Sequence, residues 1–239
     1  MRWLVIVLVA LAGAAACGDF EADLAGGAVD AGSGSSSGSG ADTGTVSSSS
    51  TASGVLQQAA TTGSASQTTL AFDGPTSFES TIVVVIGTSG PTGAPAGAGW
   101  KALAGTDGGT PALSVWRRTN DPAESIVNVS LDAPATYVVR ALELTQGFDG
   151  DGDGAIATGT STAPLSPPLD VNDFRFALAA ATAKGALSLI GTDFVYLGVE
   201  GENGLSLGLA YGYVPQGLTS ARWKLETPTP WVALSARLR

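Results

Sequence analysis

From Leu70 to the C-terminus, apolar residues return at every second position in short runs broken by Gly, Pro, Asp and Asn. Val127, Val129 and Leu131 alternate with Ile126, Asn128, Ser130 and Asp132. Phe174, Phe176 and Leu178 alternate with Asp173, Arg175 and Ala177. Leu205, Leu207, Leu209, Tyr211 and Tyr213 share one face, and Ala221, Trp223 and Leu225 oppose Arg222, Lys224 and Glu226. Val232, Leu234, Ala236 and Leu238 close the chain. A two-residue period with β-branched and aromatic residues is the signature of half-buried strands, because successive side chains leave a strand on opposite faces. Thr81–Ile86 is apolar on both faces and suits a central strand. No apolar stripe of period 3.6 lasts three turns. Ala177–Lys184 has helical composition, but its flank alternates, and it reads as strand. About ten strands with turn signals every 8–15 residues predict an all-β fold, an antiparallel β-sandwich resembling a jelly roll, over residues 70–239.

The residue types missing from the chain restrict its chemistry. There is no histidine, the one methionine is Met1, and the one cysteine is Cys17. Ser-His-Asp and Cys-His catalysis therefore have no imidazole to take the nucleophile's proton. Zinc, haem, copper and iron–sulfur sites lack their ligands, and no transition metal or nucleotide is expected. Oxygen-ligand cations such as calcium stay available. Gly34–Gly38 has the letters of a hydrolase nucleophile elbow, G-x-S-x-G, without the strand, helix or histidine that elbow needs.

The first residues form a charged start (Arg2), an unbroken apolar run (Trp3–Leu11) and small residues up to Ala16. This is the three-part pattern of a secretory signal, and it is shorter than the roughly 20 residues of a membrane-spanning helix. Ala14-Ala15-Ala16-Cys17 resembles the lipobox of bacterial lipoproteins, with Ala14 in place of the usual leucine. The resemblance implies cleavage after residue 16 and acylation of Cys17, with palmitate among the chains. Each buried methylene contributes roughly 0.8 kcal/mol to membrane residence. Gly18, and not aspartate, follows the cysteine. By the sorting pattern of such lipoproteins this implies the outer membrane of a double-membrane bacterium.

Residues 17–69 read as a disordered tether. Between 31 and 54, 19 of 24 residues are Gly, Ser or Thr, too few apolar groups to offset ordering entropy. As a random coil, 17–69 spans roughly 40 Å. Five of the 21 acids (Asp19, Glu21, Asp23, Asp30, Asp42) lie in it, and the formal net charge of the chain is −10. That sign, with no basic run beyond Arg117-Arg118, disfavours nucleic acid.

The segments Pro95–Trp100, Ser114–Arg118, Tyr137–Leu144, Gly147–Asp149 and Trp231–Leu238 occur in the order found in bacterial cell-surface and phage-associated β-sandwich modules. The chain resembles these modules, departing from them in the spaced Pro95–Trp100 segment and the aspartate run after Phe148. The resemblance implies a sandwich displayed on a surface and assigns no ligand and no catalytic residue.

Three candidate sites stand out. Asp149, Asp151 and Asp153, with Gly154 at position 6 and the Ala155 carbonyl at position 7, resemble the start of an EF-hand-type calcium loop, and Ile156 would anchor it to a core. Thr160 replaces the bidentate glutamate at position 12, so the expected affinity is weak, on the order of 10⁻⁴–10⁻³ M; the competing reading is a flexible acidic turn. Trp100, after a Gly/Pro loop, and Trp116, beside Arg117, are candidate exposed platforms for a glycan, while Trp223 and Trp231 read as core. Glu200 and Glu202 are a carboxylate pair of glycosidase type only if they face each other across a cleft; at a hairpin turn, exposed acids are ordinary. The expected function is a lipid-anchored, non-enzymatic binding or adhesion module, with glycan or surface protein as partner. The alternatives are a structural or spacer lipoprotein and, less favoured, a carboxylate-based glycan hydrolase.

Overall fold

The computed structural model describes residues 54–239 except 107, 120–122, 146–147, 149–151, 171–175, 193 and 213–217. Cys17 and the signal-like run therefore lie outside the described residues, as do Asp149 and Asp151. Among the described residues every regular element is a strand: β1 (Val55–Ala71), β2 (Thr81–Thr88), β3 (Gly93–Pro95), β4 (Lys101–Gly105), β5 (Ala112–Thr119), β6 (Ile126–Leu144), β7 (Asp153–Ser161), β8 (Leu169–Asp170), β9 (Phe176–Lys184), β10 (Leu187–Thr192), β11 (Val195–Glu202), β12 (Leu205–Gly212), β13 (Leu218–Thr219), β14 (Ala221–Leu225) and β15 (Thr229–Leu238). All pairings are antiparallel. The all-β sandwich expected from the alternation is the fold.

Two main sheets face each other. The first has the order β1-β6-β2-β5-β4, with β3 beside β6; the second has the order β11-β12-β9-β15-β7. Between them lies a core of Val83, Val85, Leu113, Val115, Val138 and Leu142 from one sheet and Leu178, Leu207, Leu209, Tyr211, Val232 and Leu234 from the other. Alternate side chains of both sheets point into this layer, as a sandwich requires.

Each sheet is also covered on its outer face, which explains the strands that are apolar on both sides. All eight residues of β2 are buried. Val83 and Val85 enter the inter-sheet core, while Ile82, Val84 and Ile86 meet Leu70, Phe72, Val127, Val129 and Leu131. These last come from the far halves of β1 and β6 and, for Phe72, from the residue that follows β1. The two strands pair along nearly their whole length, but their register breaks where Ala65 pairs with Ala135 and Gln67 with Ser130. The residues looped out there bend the ribbon, as bulges do, and carry its far half across the outer face of β2.

On the second sheet, β9 divides its faces by size. Phe176, Leu178 and Ala180 fill the inter-sheet core, and Ala177, Ala179, Ala181 and Ala183 face outward under Trp223, Leu225 and Leu187. The alanines leave room for the β10-β14 ribbon that lies over them. The helix-forming composition of Ala177–Lys184 is thus overridden by packing, in agreement with its reading as strand.

The sandwich begins earlier than Leu70. Val55–Thr69, assigned from composition to the tether, is the larger part of β1 and pairs with β6. Its residues are small and polar, yet an edge strand gains its place from backbone pairing, and Ala59 and Ala60 need only a shallow site to be buried. Residues 55–69 are therefore strand and not tether.

Candidate functional site

A groove of about 650 Å³ opens where β1 bends, between the ribbon and the turn joining β11 to β12. Its lining includes Thr62, Gly63, Ser64, Gln67 and Thr69 of β1, Tyr137 of β6, and Glu202 and Asn203. The groove owes its depth to Gly63. Tyr137 stands opposite it in the register, and a Cβ at Gly63 would lie 2.6 Å from the tyrosine hydroxyl. Only glycine lets the phenol lie flat across β1. Tyr137 is 2% exposed, and its hydroxyl has no hydrogen-bond partner among the described residues.

The opposite wall is a two-residue hairpin turn. Asn203 and Gly204 both have positive φ (47° and 78°), the Asn-Gly turn whose twist matches antiparallel strands. It holds the Glu202 carboxylate between two donors: Thr62 Oγ1 donates to Oε2 at 3.2 Å and Asn203 Nδ2 to Oε1 at 3.0 Å. Along β1, Ser64 Oγ lies 3.1 Å from Thr136 Oγ1, and Thr69 Oγ1 donates to Asn128 Oδ1 at 2.9 Å. Glu202 does flank a hairpin, as its sequence context suggested. Among the described side chains lining the groove it is the one carboxylate.

The two tryptophan candidates lie elsewhere, on the outer face of the first sheet. Trp100 and Trp116 are each half-buried against the cluster of Ile82, Val84 and Val129. The Arg118 guanidinium sits 4.5 Å from the centroid of the Trp100 ring, and it also pairs with Glu124. The indole N–H groups are spent internally, from Trp100 to Ala96 O and from Trp116 to Ser114 Oγ, each at 3.1 Å. One face of Trp100 is thus taken by a cation–π contact. Trp223 and Trp231 are buried, as expected.

Of the calcium-loop residues, Asp153 and Ala155 are described. Asp153 opens β7 and is gripped by the Arg237 fork, with Nε at 2.5 Å from Oδ1 and Nη2 at 2.8 Å from Oδ2. The hydrogen bonds from Arg237 hold its carboxyl below the usual carboxylate range. Gly152 and Gly154 have no positive φ. They are glycine for another reason, because a Cβ at 152 would lie 2.6 Å from Leu103 and one at 154 would lie 2.7 Å from the Ser235 carbonyl. Ala155 pairs with Ser235 in the strand ladder, and Ile156 packs against the inter-sheet core. On the other side of the run, Phe148 is buried, accepts a hydrogen bond from the Arg117 guanidinium on its carbonyl, and donates its N–H to the Thr81 hydroxyl oxygen at 2.8 Å. Arg237 takes one lone pair on each Asp153 oxygen, so a cation there shares the carboxylate with the guanidinium or displaces it.

Comparison with family models, with curated proteins and with solved structures finds no match.

The groove went unnoticed in the sequence because Thr62, Gly63 and Ser64 carry no motif. The signal available was the Gly63 gap in a polar run together with Asn203-Gly204. Neither says that the two meet.

Proposed function

We propose that this chain is a lipid-anchored protein of the bacterial outer membrane that presents its β-sandwich as a non-enzymatic binding module. The binding half of the reading is carried by the groove at the bend of β1, a polar recess of about 650 Å³ on a scaffold of paired strands. That volume falls within the roughly 300–1,000 Å³ of small-ligand sites. A spacer has no use for such a recess. The anchor half is supported by the lone Cys17 at the end of the signal-like run. Calcium enters this reading as a weak ligand competing with Arg237 for Asp153.

Metabolic labelling with an alkyne fatty acid tests the anchor: wild type labels and Cys17→Ser does not, and equal labelling removes it. Retention of cells carrying the chain on glycan-coated and protein-coated beads tests the binding role. Retention above that of cells lacking the chain is expected on at least one coating, and equal retention on all would leave the spacer reading. A higher melting temperature in millimolar calcium than in EGTA is expected if the cation competes successfully, and equal values remove calcium.

A further inference from the structure

We propose that the groove at the bend of β1 binds a neutral saccharide, an inference that rests on the binding-module reading and names its ligand class. Tyr137 is the residue that points to a ligand. Its ring is buried beneath the ribbon, yet its hydroxyl, lying over Gly63 at the groove, has no hydrogen-bond partner among the described residues. The hydroxyl opens into the groove, so its proton goes to whatever fills the groove, water or a bound hydroxyl. Here the occupant of the groove supplies the acceptor.

The neighbouring groups ask for the opposite. Thr62 and Thr69 spend their protons on Glu202 and Asn128, which leaves both oxygens as acceptors. The Glu202 carboxylate takes one donor on each oxygen and has room for about two more. Gln67, exposed on the rim, offers an amide that both donates and accepts. A ligand that fits must give several O–H donors at once and accept one hydrogen bond from Tyr137. A polyol ring does both with the same groups.

Charge and polarity narrow the class. The lining holds a carboxylate and neither Lys nor Arg, so phosphates, sulfates and acidic sugars are repelled. Apart from the Tyr137 ring it holds no large apolar side chain, which gives an acyl chain or an apolar peptide nothing to bury against.

The test is a glycan array of neutral, amino and acidic sugars, probed with the acylated full-length protein in a detergent without a sugar headgroup. Binding to neutral glycans is expected. Tyr137→Phe keeps the ring over Gly63 and removes the hydroxyl alone, and it should weaken binding by on the order of threefold to tenfold. Ser64→Trp, made at an exposed position, should fill the groove and abolish binding, while Ile190→Ser on the outer ribbon leaves it unchanged; unaltered melting temperatures show that each variant folds. The proposal is overturned if no glycan binds, if only acidic or amino glycans bind, or if neutral binding survives Ser64→Trp. Retention on protein-coated beads with no glycan binding would sink the saccharide while leaving the binding module standing. Equal retention on every bead would sink both.

Discussion

Three large aromatic side chains of this protein lie over glycines. Tyr137 covers Gly63, Trp231 covers Gly159 on the paired strand, and Trp223 covers Gly208, whose missing Cβ would sit 2.6 Å from the indole nitrogen. Each glycine gives up strand propensity and gains a ring packed flat on the sheet, the same exchange used to rescue glycine in designed sheets. Gly208→Ala should therefore cost about 1–3 kcal/mol, because Trp223 is fully buried and has nowhere to move. Gly191→Ala, with open space at its Cβ, should stay within about 0.5 kcal/mol of wild type, and paired thermal melts measure the difference. The Asp153–Arg237 fork makes a second prediction at this scale. Its carboxyl titrates below the ordinary value of 3.8, so the native state holds fewer protons there than the unfolded chain. The stabilisation is complete above that value and is lost as pH falls through the lower native pKa. The Asp153 side chain is 59% exposed, which limits the contribution to about 0–1 kcal/mol. Arg237→Met should lower the melting temperature slightly at neutral pH and converge on wild type once the pH has fallen through the lowered native pKa, in a pH series of melts.

At the scale of elements, β1 is where composition misled. Its run of Gln, Ala, Thr, Gly and Ser resembles the Gly/Ser/Thr-rich sequence that precedes it, and nothing in 55–69 alternates strongly enough to announce a strand. The partner decides it: β6, 19 residues long, offers a full row of backbone donors and acceptors that would otherwise be left at an edge. Because β1 pairs on one side alone, its amides should divide into two sets in hydrogen exchange. Alternate N–H groups from Val55 to Ala71 should be slow and the intervening ones fast, whereas a disordered tether reaching to 69 would exchange fast throughout. The strands that are legible, β2, the first half of β6, β12, β14 and β15, are those whose periodic apolar residues face a core. The alternation in β14 appears directly as buried Ala221, Trp223 and Leu225 against exposed Arg222 and Lys224. In β9 the pattern was read correctly as strand, but its second buried face rests on alanines that a polarity pattern cannot distinguish from helix.

At the scale of the whole molecule, alternating apolar residues without a 3.6-residue stripe determined by themselves that the described chain from Leu70 onward is all-β, since the period of burial is a property of each segment alone. The absence of histidine and the lone cysteine likewise set which chemistries are closed to it. Only the tertiary structure decided that the sandwich starts at Val55, that both sheets are covered on their outer faces, and that Gly152 and Gly154 serve close packing. It also decided where a ligand could sit. Thr62 and Glu202 are 140 residues apart in the chain and meet through a hydrogen bond. Strand order and the bend of the β1-β6 ribbon bring them together, and both depend on pairings between distant segments. Local periodicity carries no record of which distant strand will be the neighbour.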